Sequence, residues 1–138
     1  MIRFFHDNFL TLNEGQISAW LDKIAQSQGY VIEKFDFNFV DSDRMLALNR
    51  DFLSHDTHTD IMTFDYTIGQ EIVAEAYISF SALTENAKEY NQGIEEETLR
   101  LISHALLHCL GYKDKKDDER AEMRAKEDEC ITMFHVKQ

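Results

Sequence analysis

Apolar side chains at Ile17, Trp20, Leu21 and Ile24 follow the spacing of a helix with one buried stripe. Asn13 or Thr11 stands before it as a cap, and Gly29 closes it. The period then changes from about 3.6 to two. Phe35, Phe37 and Phe39 alternate with Asp36 and Asn38, which predicts a half-buried strand with a phenylalanine core stripe. Ser42 is the expected cap of a second helix, with Met45, Leu48 and Phe52 on its inner face. The polar run 54–59 predicts a loop. Strands are expected over 61–67 and 72–80, paired as a hairpin about the turn at Gly69. Ser81 caps a short helix to about Tyr90, and Asn91-Gln92-Gly93 breaks it.

The most strongly marked helix comes next. Glu95, Glu96 and Glu97 occupy its first turn, where the positive end of the macrodipole favours them. Leu99, Ile102, Leu106 and Leu110 continue it, and Gly111 ends it as a left-handed residue can. A charged connection, 113–118, leads to a last helix at about 119–134. With no proline, repeat or low-complexity tract, residues 1–138 are expected to form a single domain. The order of elements predicts an α+β fold, a small mostly antiparallel or mixed sheet covered by helices.

Charge narrows the function. Fourteen Lys and Arg against 26 Asp and Glu leave a net −12, so the overall field repels polyanions. That argues against a simple DNA-coating or polybasic membrane role. Contact with nucleic acid must come from a local basic patch or a bound metal. Two cysteines, Cys109 and Cys130, are too few for a disulfide scaffold and predict a reducing compartment. No run of 18 apolar residues exists to span a membrane, and residues 1–9 lack the apolar core of a signal peptide. A cytoplasmic protein is the expectation.

The chemistry concentrates in residues 103–114. His104 and His108, four apart on a helix, project from one face a turn apart, which suits two imidazoles on one metal. Gly111 stops the helix three residues later, and a left-handed turn there lets Asp114 return as a third ligand. Asp117 and Asp118 are alternatives for that place. Three protein ligands leave a position for water, as in catalytic zinc sites. The expectation is one divalent ion per chain, most simply Zn2+, with a metal-bound water held by His104, His108 and Asp114. The spacing resembles the zinc signature of metzincin proteases, but the base that follows the first histidine there is Ala105 here, which cannot move a proton.

Three segments together resemble the YbeY family of bacterial endoribonucleases. Leu48-Asn49 followed by Phe52 is similar to the family's first helix motif. Thr59-Asp60-Ile61-Met62-Thr63-Phe64 is similar to its T-D-V-L-S-F strand, and residues 104–112 to its H-G-x-L-H-x-x-G-Y core. Two positions depart from the pattern. Asp114 stands where the third metal histidine is usual, and Leu53 where the family carries an arginine linked to catalysis; Arg50 lies one turn earlier. The resemblance implies an α+β fold and a divalent metal, usually taken as zinc. It also implies cleavage of single-stranded RNA in ribosomal-RNA maturation or ribosome quality control, with the small subunit or its precursors as partner.

Arg50, Thr59, Asp60 and Lys113 are the candidates for substrate contact. Lys113, Lys115, Lys116, Arg120, Arg124 and Lys126 cluster in sequence, but five acids are interleaved, which favours an ion-paired helix surface. His55 and His58 lie in the polar loop before the second motif. Cys109 points about 100° away from His108 around the helix and is expected, like Cys130, to be a buried thiol. Competing functions are a zincin-like peptidase or other metallohydrolase, and a non-catalytic ribosome-assembly factor with a structural metal.

Overall fold

The computed structural model describes residues 1–6, 13–53 and 59–136. Within them the order is β1 (Ile2–Phe5), α1 (Glu14–Ser27), β2 (Val31–Val40), α2 (Ser42–Leu48), a π-helical turn (Asn49–Leu53), β3 (Ile61–Asp65), β4 (Glu71–Ser79), α3 (Phe80–Glu89), α4 (Ile94–Cys109) and α5 (Asp117–His135). The strands form one mixed sheet in the order β1-β2-β4-β3. β2 runs parallel to both β1 and β4, and only β3 and β4 are antiparallel. The sheet is therefore mixed, as allowed for, but not mostly antiparallel. The hairpin is present and turns at Gly69, whose φ is 60°.

The two faces of the sheet bury different things. Phe35, Phe37 and Phe39 on β2 and Ile72, Ala74, Ala76 and Ile78 on β4 form the main core with α1, α4 and α5. The Phe35 and Phe37 rings stack with centroids 4.4 Å apart. The stripe is thus packed core, unavailable for stacking on bases. On the opposite face, Met45 and Leu48 of α2 cover Met62 in a smaller cluster bordered by Val40, Phe64 and Tyr77.

The starts of α2 and α3 differ from expectation by one and two residues, whereas that of α1 agrees. Asn13 caps α1, its side chain accepting from the Gln16 N–H at 3.1 Å, while Thr11 lies outside the described residues. Asp41 rather than Ser42 caps α2, accepting from Arg44 N–H, and Ser79 rather than Ser81 caps α3, accepting from Ala82 N–H. Asp41 and Ser79 lie just before the first helical residue in an extended conformation, which lets each side chain reach a first-turn N–H. Phe52 was expected inside and is 62% exposed. The wider π turn that begins at buried Asn49 changes the angular register, so the i+4 projection from Leu48 fails there. Phe52 instead meets Phe64 edge-on.

β1 had no counterpart in the expected elements. Ile2 and Phe4 pack on the main core, and Arg3 forms two 2.8 Å bonds to Asp36 on β2. At the other end, the indole N–H of Trp20 donates to the Cys130 carbonyl at 2.7 Å, joining α1 to α5 inside the core. Among the described residues, no helix is long and apolar enough to cross a membrane.

Candidate functional site

α4 is the central helix and is buried over most of its surface. Leu99, Ile102, Ala105, Leu106 and Leu107 are almost fully enclosed. Arg100, His104 and His108 recur at every fourth position and form a polar line along it. Its end matches the expectation for Gly111. At φ 104°, Gly111 donates to the His108 carbonyl, and Tyr112 N–H donates to the Leu107 carbonyl, both at 3.1 Å. This 5→2 and 6→1 pair is a Schellman motif. It reverses the chain and directs Asp114 back toward the helix.

His104 sits between two carboxylates. Its Nε2 is 3.2 Å from Asp114 Oδ2, and its Nδ1 is 2.7 Å from Glu127 Oε2 on α5. Glu127 is buried, and its other oxygen accepts from Arg100 at 3.0 Å; Arg100 also donates to Asp128 at 2.7 Å. Burial alone lowers the affinity of His104 for a proton. The Glu127 hydrogen bond and charge, followed by Asp114 and Asp60, more than offset this and move its pKa above the ordinary histidine value.

The Nδ1 bond to Glu127 places the ring hydrogen there. Neutral His104 then presents an Nε2 lone pair to an anionic oxygen 3.2 Å away. Two such acceptors need a cation between them, a proton or a metal. Tetrahedral zinc with bonds of about 2.0–2.2 Å sets neighbouring ligand atoms about 3.3 Å apart. The His104–Asp114 pair fits that edge. His108 is one turn further and exposed. Among the described residues, no group of three His, Cys, Asp or Glu side chains is already gathered for an ion. The structure therefore brings His104 and Asp114 together without drawing in His108.

The alternatives to Asp114 have other work. Asp117 pairs with Arg120, and Asp118 accepts from the Glu119 N–H, both in the first turn of α5. That helix begins two residues before its expected start. Around the site, Thr59 donates to buried Asn49 at 3.1 Å, and Asp60 accepts from Asn86 at 3.2 Å. Asn86 also reaches Glu97, a carboxyl buried in the first turn of α4. Burial raises the Glu97 pKa, against the lowering effects of Asn86 and Arg100. Arg50 is exposed on the π turn that Leu53 closes, and Lys113 is exposed beside Asp114. His55 and His58 lie outside the described residues.

Three of the six side chains of the basic cluster are engaged at the surface. Arg120 pairs with Asp117, Lys126 with Glu129, and Arg124 lies over the Tyr90 ring. Cys109 and Cys130 are buried free thiols. Burial pushes both thiols up, Cys130 to about 11, which leaves neither a nucleophile. His6 approaches Glu14, and His135 pairs with Glu96, apart from this constellation.

Glu127 and Arg100 belong to no motif that the sequence displays. Both carried a signal. Arg100 precedes His104 by one helical turn, and Glu127 occupies an inner position of the Met123, Glu127, Cys130, Ile131 stripe where an apolar residue belongs.

The fold is similar to the solution structure of a protein from Thermotoga maritima. The TM-score is 0.67 at 25% identity, covering 97% of this chain and 89% of that one. A family model described as Endoribonuclease YbeY matches residues 5–135. The chain belongs to the YbeY endoribonuclease family. Relatives named Endoribonuclease YbeY include one from Flavobacterium johnsoniae, 40% identical over 139 residues and the full length of both chains. Another, from Christiangramia forsetii, is 39% identical over 99% of this chain and 96% of its own. A third, from Chlorobium phaeobacteroides, is 40% identical over 84% and 82%.

Proposed function

We propose that this protein is a metal-dependent endoribonuclease that cuts single-stranded ribosomal RNA in the cytoplasm, during maturation and quality control of the small subunit or its precursors. Family membership supports cleavage of RNA. The observation that carries the metal-dependent reading is His104 Nε2 facing Asp114 Oδ2 at 3.2 Å, with Nδ1 already engaged by Glu127. His104, His108 and Asp114 are the residues assigned to hold one Zn2+ per chain. When bound, the ion supplies Lewis acidity at a phosphoryl oxygen and a water of lowered pKa.

The chain's own groups do the rest. Glu127 holds the His104 ring, and Asp114 keeps a negative charge opposite Nε2. Lys113, next to Asp114, and Arg50 on the π turn are exposed cations assigned to phosphate contact. Thr59 and Asp60, held by Asn49 and Asn86, border the substrate path. Few cations against a net −12 predict weak, salt-sensitive binding with a shallow slope. A peptidase is disfavoured by Ala105, which is packed in the core with no exposure and leaves no base at that position.

The test is cleavage of a single-stranded RNA oligonucleotide by zinc-loaded protein, beside His104→Ala purified identically and a peptide substrate. Cleavage that disappears in His104→Ala and on chelation supports the reading. RNA cleavage equal in both proteins, or proteolysis that depends on His104, overturns it.

A further inference from the structure

Glu127 is 4% exposed, and among the described residues its oxygens are met by His104 Nδ1 at 2.7 Å and Arg100 Nη1 at 3.0 Å. A buried carboxylate is costly unless paired and hydrogen-bonded, and this one is both. An ion pair that served only to join α4 to α5 needs Arg100 and a carboxylate and nothing more. Here the second oxygen is spent on an imidazole, on the nitrogen turned away from Asp114. The 2.7 Å length lies in the range of charge-assisted bonds. Asp128, 59% exposed at the rim, holds the far side of Arg100, so the guanidinium braces Glu127 from behind.

We propose that Glu127, braced by Arg100, is the positioning residue of the site: it fixes His104 in the Nδ1–H tautomer and aims the Nε2 lone pair at the gap before Asp114. The inference rests on His104 being a metal ligand, as read above, but the tautomer itself does not. A ligating imidazole whose other nitrogen is bound to a carboxylate is oriented in advance and is the stronger donor. Because both Glu127 oxygens are occupied, the carboxylate stays behind the ring and does not compete for the ion. α5 thereby contributes Glu127 to the site, 23 positions after the histidine it orients.

The experiment uses metal-free, 15N-histidine-labelled full chain, read by long-range 1H–15N correlation at a pH where His104 is neutral. The wild type is expected to show His104 protonated at Nδ1. Glu127→Gln keeps an acceptor and retains that tautomer; Glu127→Leu abolishes the preference and yields Nε2–H or a mixture. In parallel, Zn2+ affinity is measured by competition with a chromophoric chelator. Glu127→Leu is expected to bind roughly 10–100-fold more weakly, with Glu127→Gln between it and wild type. Asp128→Asn, which loosens the Arg100 brace but leaves the Glu127–His104 bond in place, is expected to cost less zinc affinity than Glu127→Gln does. Should Glu127→Leu fail to fold, the comparison of Glu127→Gln with Asp128→Asn decides. An unchanged tautomer in Glu127→Leu overturns the proposal, as does a zinc loss in Asp128→Asn equal to that in Glu127→Gln. A tautomer change in a protein whose wild type binds no zinc supports the positioning role and sinks the metal reading instead.

Discussion

His104 and Asp114 meet across the end of a helix that has already stopped between them. Nε2 and Oδ2 are 3.2 Å apart because Gly111 reverses the chain three residues before the aspartate. The position is set by backbone geometry, so side chains can be exchanged there. Asp114→Asn removes the charge with little change of shape, and zinc affinity is expected to fall by about tenfold or more. Asp114→His is expected to retain the metal and to shift the pH–rate profile toward lower pH, because a neutral ligand leaves the metal-bound water more acidic. Asp117→Asn, in the first turn of α5, serves as the control; chelator competition that finds it equal to Asp114→Asn would displace Asp114 from the ligand set.

Gly111 offers a separate handle on the same geometry. A Cβ there meets no atom within 4 Å, so the cost of Gly111→Ala is purely conformational, set by φ 104°. A loss of at least about 1 kcal/mol is expected, visible as a thermal midpoint lowered by about 3 °C. Gly69, left-handed at φ 60° and also uncrowded, belongs to the hairpin turn. Gly69→Ala is expected to destabilise comparably while leaving zinc affinity unchanged, whereas Gly111→Ala lowers both.

The raised pKa of His104 gives metal-free protein a defined dependence on pH. Protonated His104 is stabilised by Glu127 and Asp114 in the folded state. That contribution is complete below the unfolded histidine pKa and disappears as pH rises through the higher folded value. Thermal melts of wild type against His104→Gln are expected to diverge on the acid side and converge on the alkaline side. Zinc reverses the trend, because it competes with the proton for Nε2, and its stabilisation should grow with pH.

Glu97 behaves in the opposite way to a paired carboxylate. Burial raises its pKa, so ionisation weakens the folded state once pH passes the unfolded value, and the full cost is present above the folded one. Glu97→Gln, which can still accept from Asn86, is expected to match or exceed wild-type stability at pH 7. At a pH below the carboxylate range the two midpoints should coincide. A Glu97→Gln protein clearly less stable at pH 7 would show that the charge itself is needed beside Asn86.

Much of this arrangement could be read before any coordinates. The phenylalanine alternation, the buried stripe of α4 and the glycine stop each rest on local periodicity, and all three hold. What escaped depends on neighbours distant in sequence. β1 is four residues long and gains its stability from β2, through core contacts and the Arg3–Asp36 bonds. The parallel pairing of β2 with β4 depends on partners about 40 residues apart. Phe52 left the core because a π turn has a different angular step from the helix it continues. Glu127 hid within an apolar stripe, its purpose set by a histidine on another helix. Of the site itself, the imidazole–carboxylate pair was legible from spacing. The bond that orients the imidazole was not.

The burial of α4 divides the constellation between two regimes of backbone opening. The amides around His104 lie in the most enclosed helix of the molecule, and their hydrogen exchange should require unfolding of the whole domain. Asp114 lies beyond the turn, in a mostly exposed connection whose amides are expected to exchange through local excursions. Swinging that connection outward separates carboxylate from imidazole without disturbing the core. If a cation is held between them, it would then come and go on the timescale of a loop, while the histidine stays fixed for the lifetime of the fold.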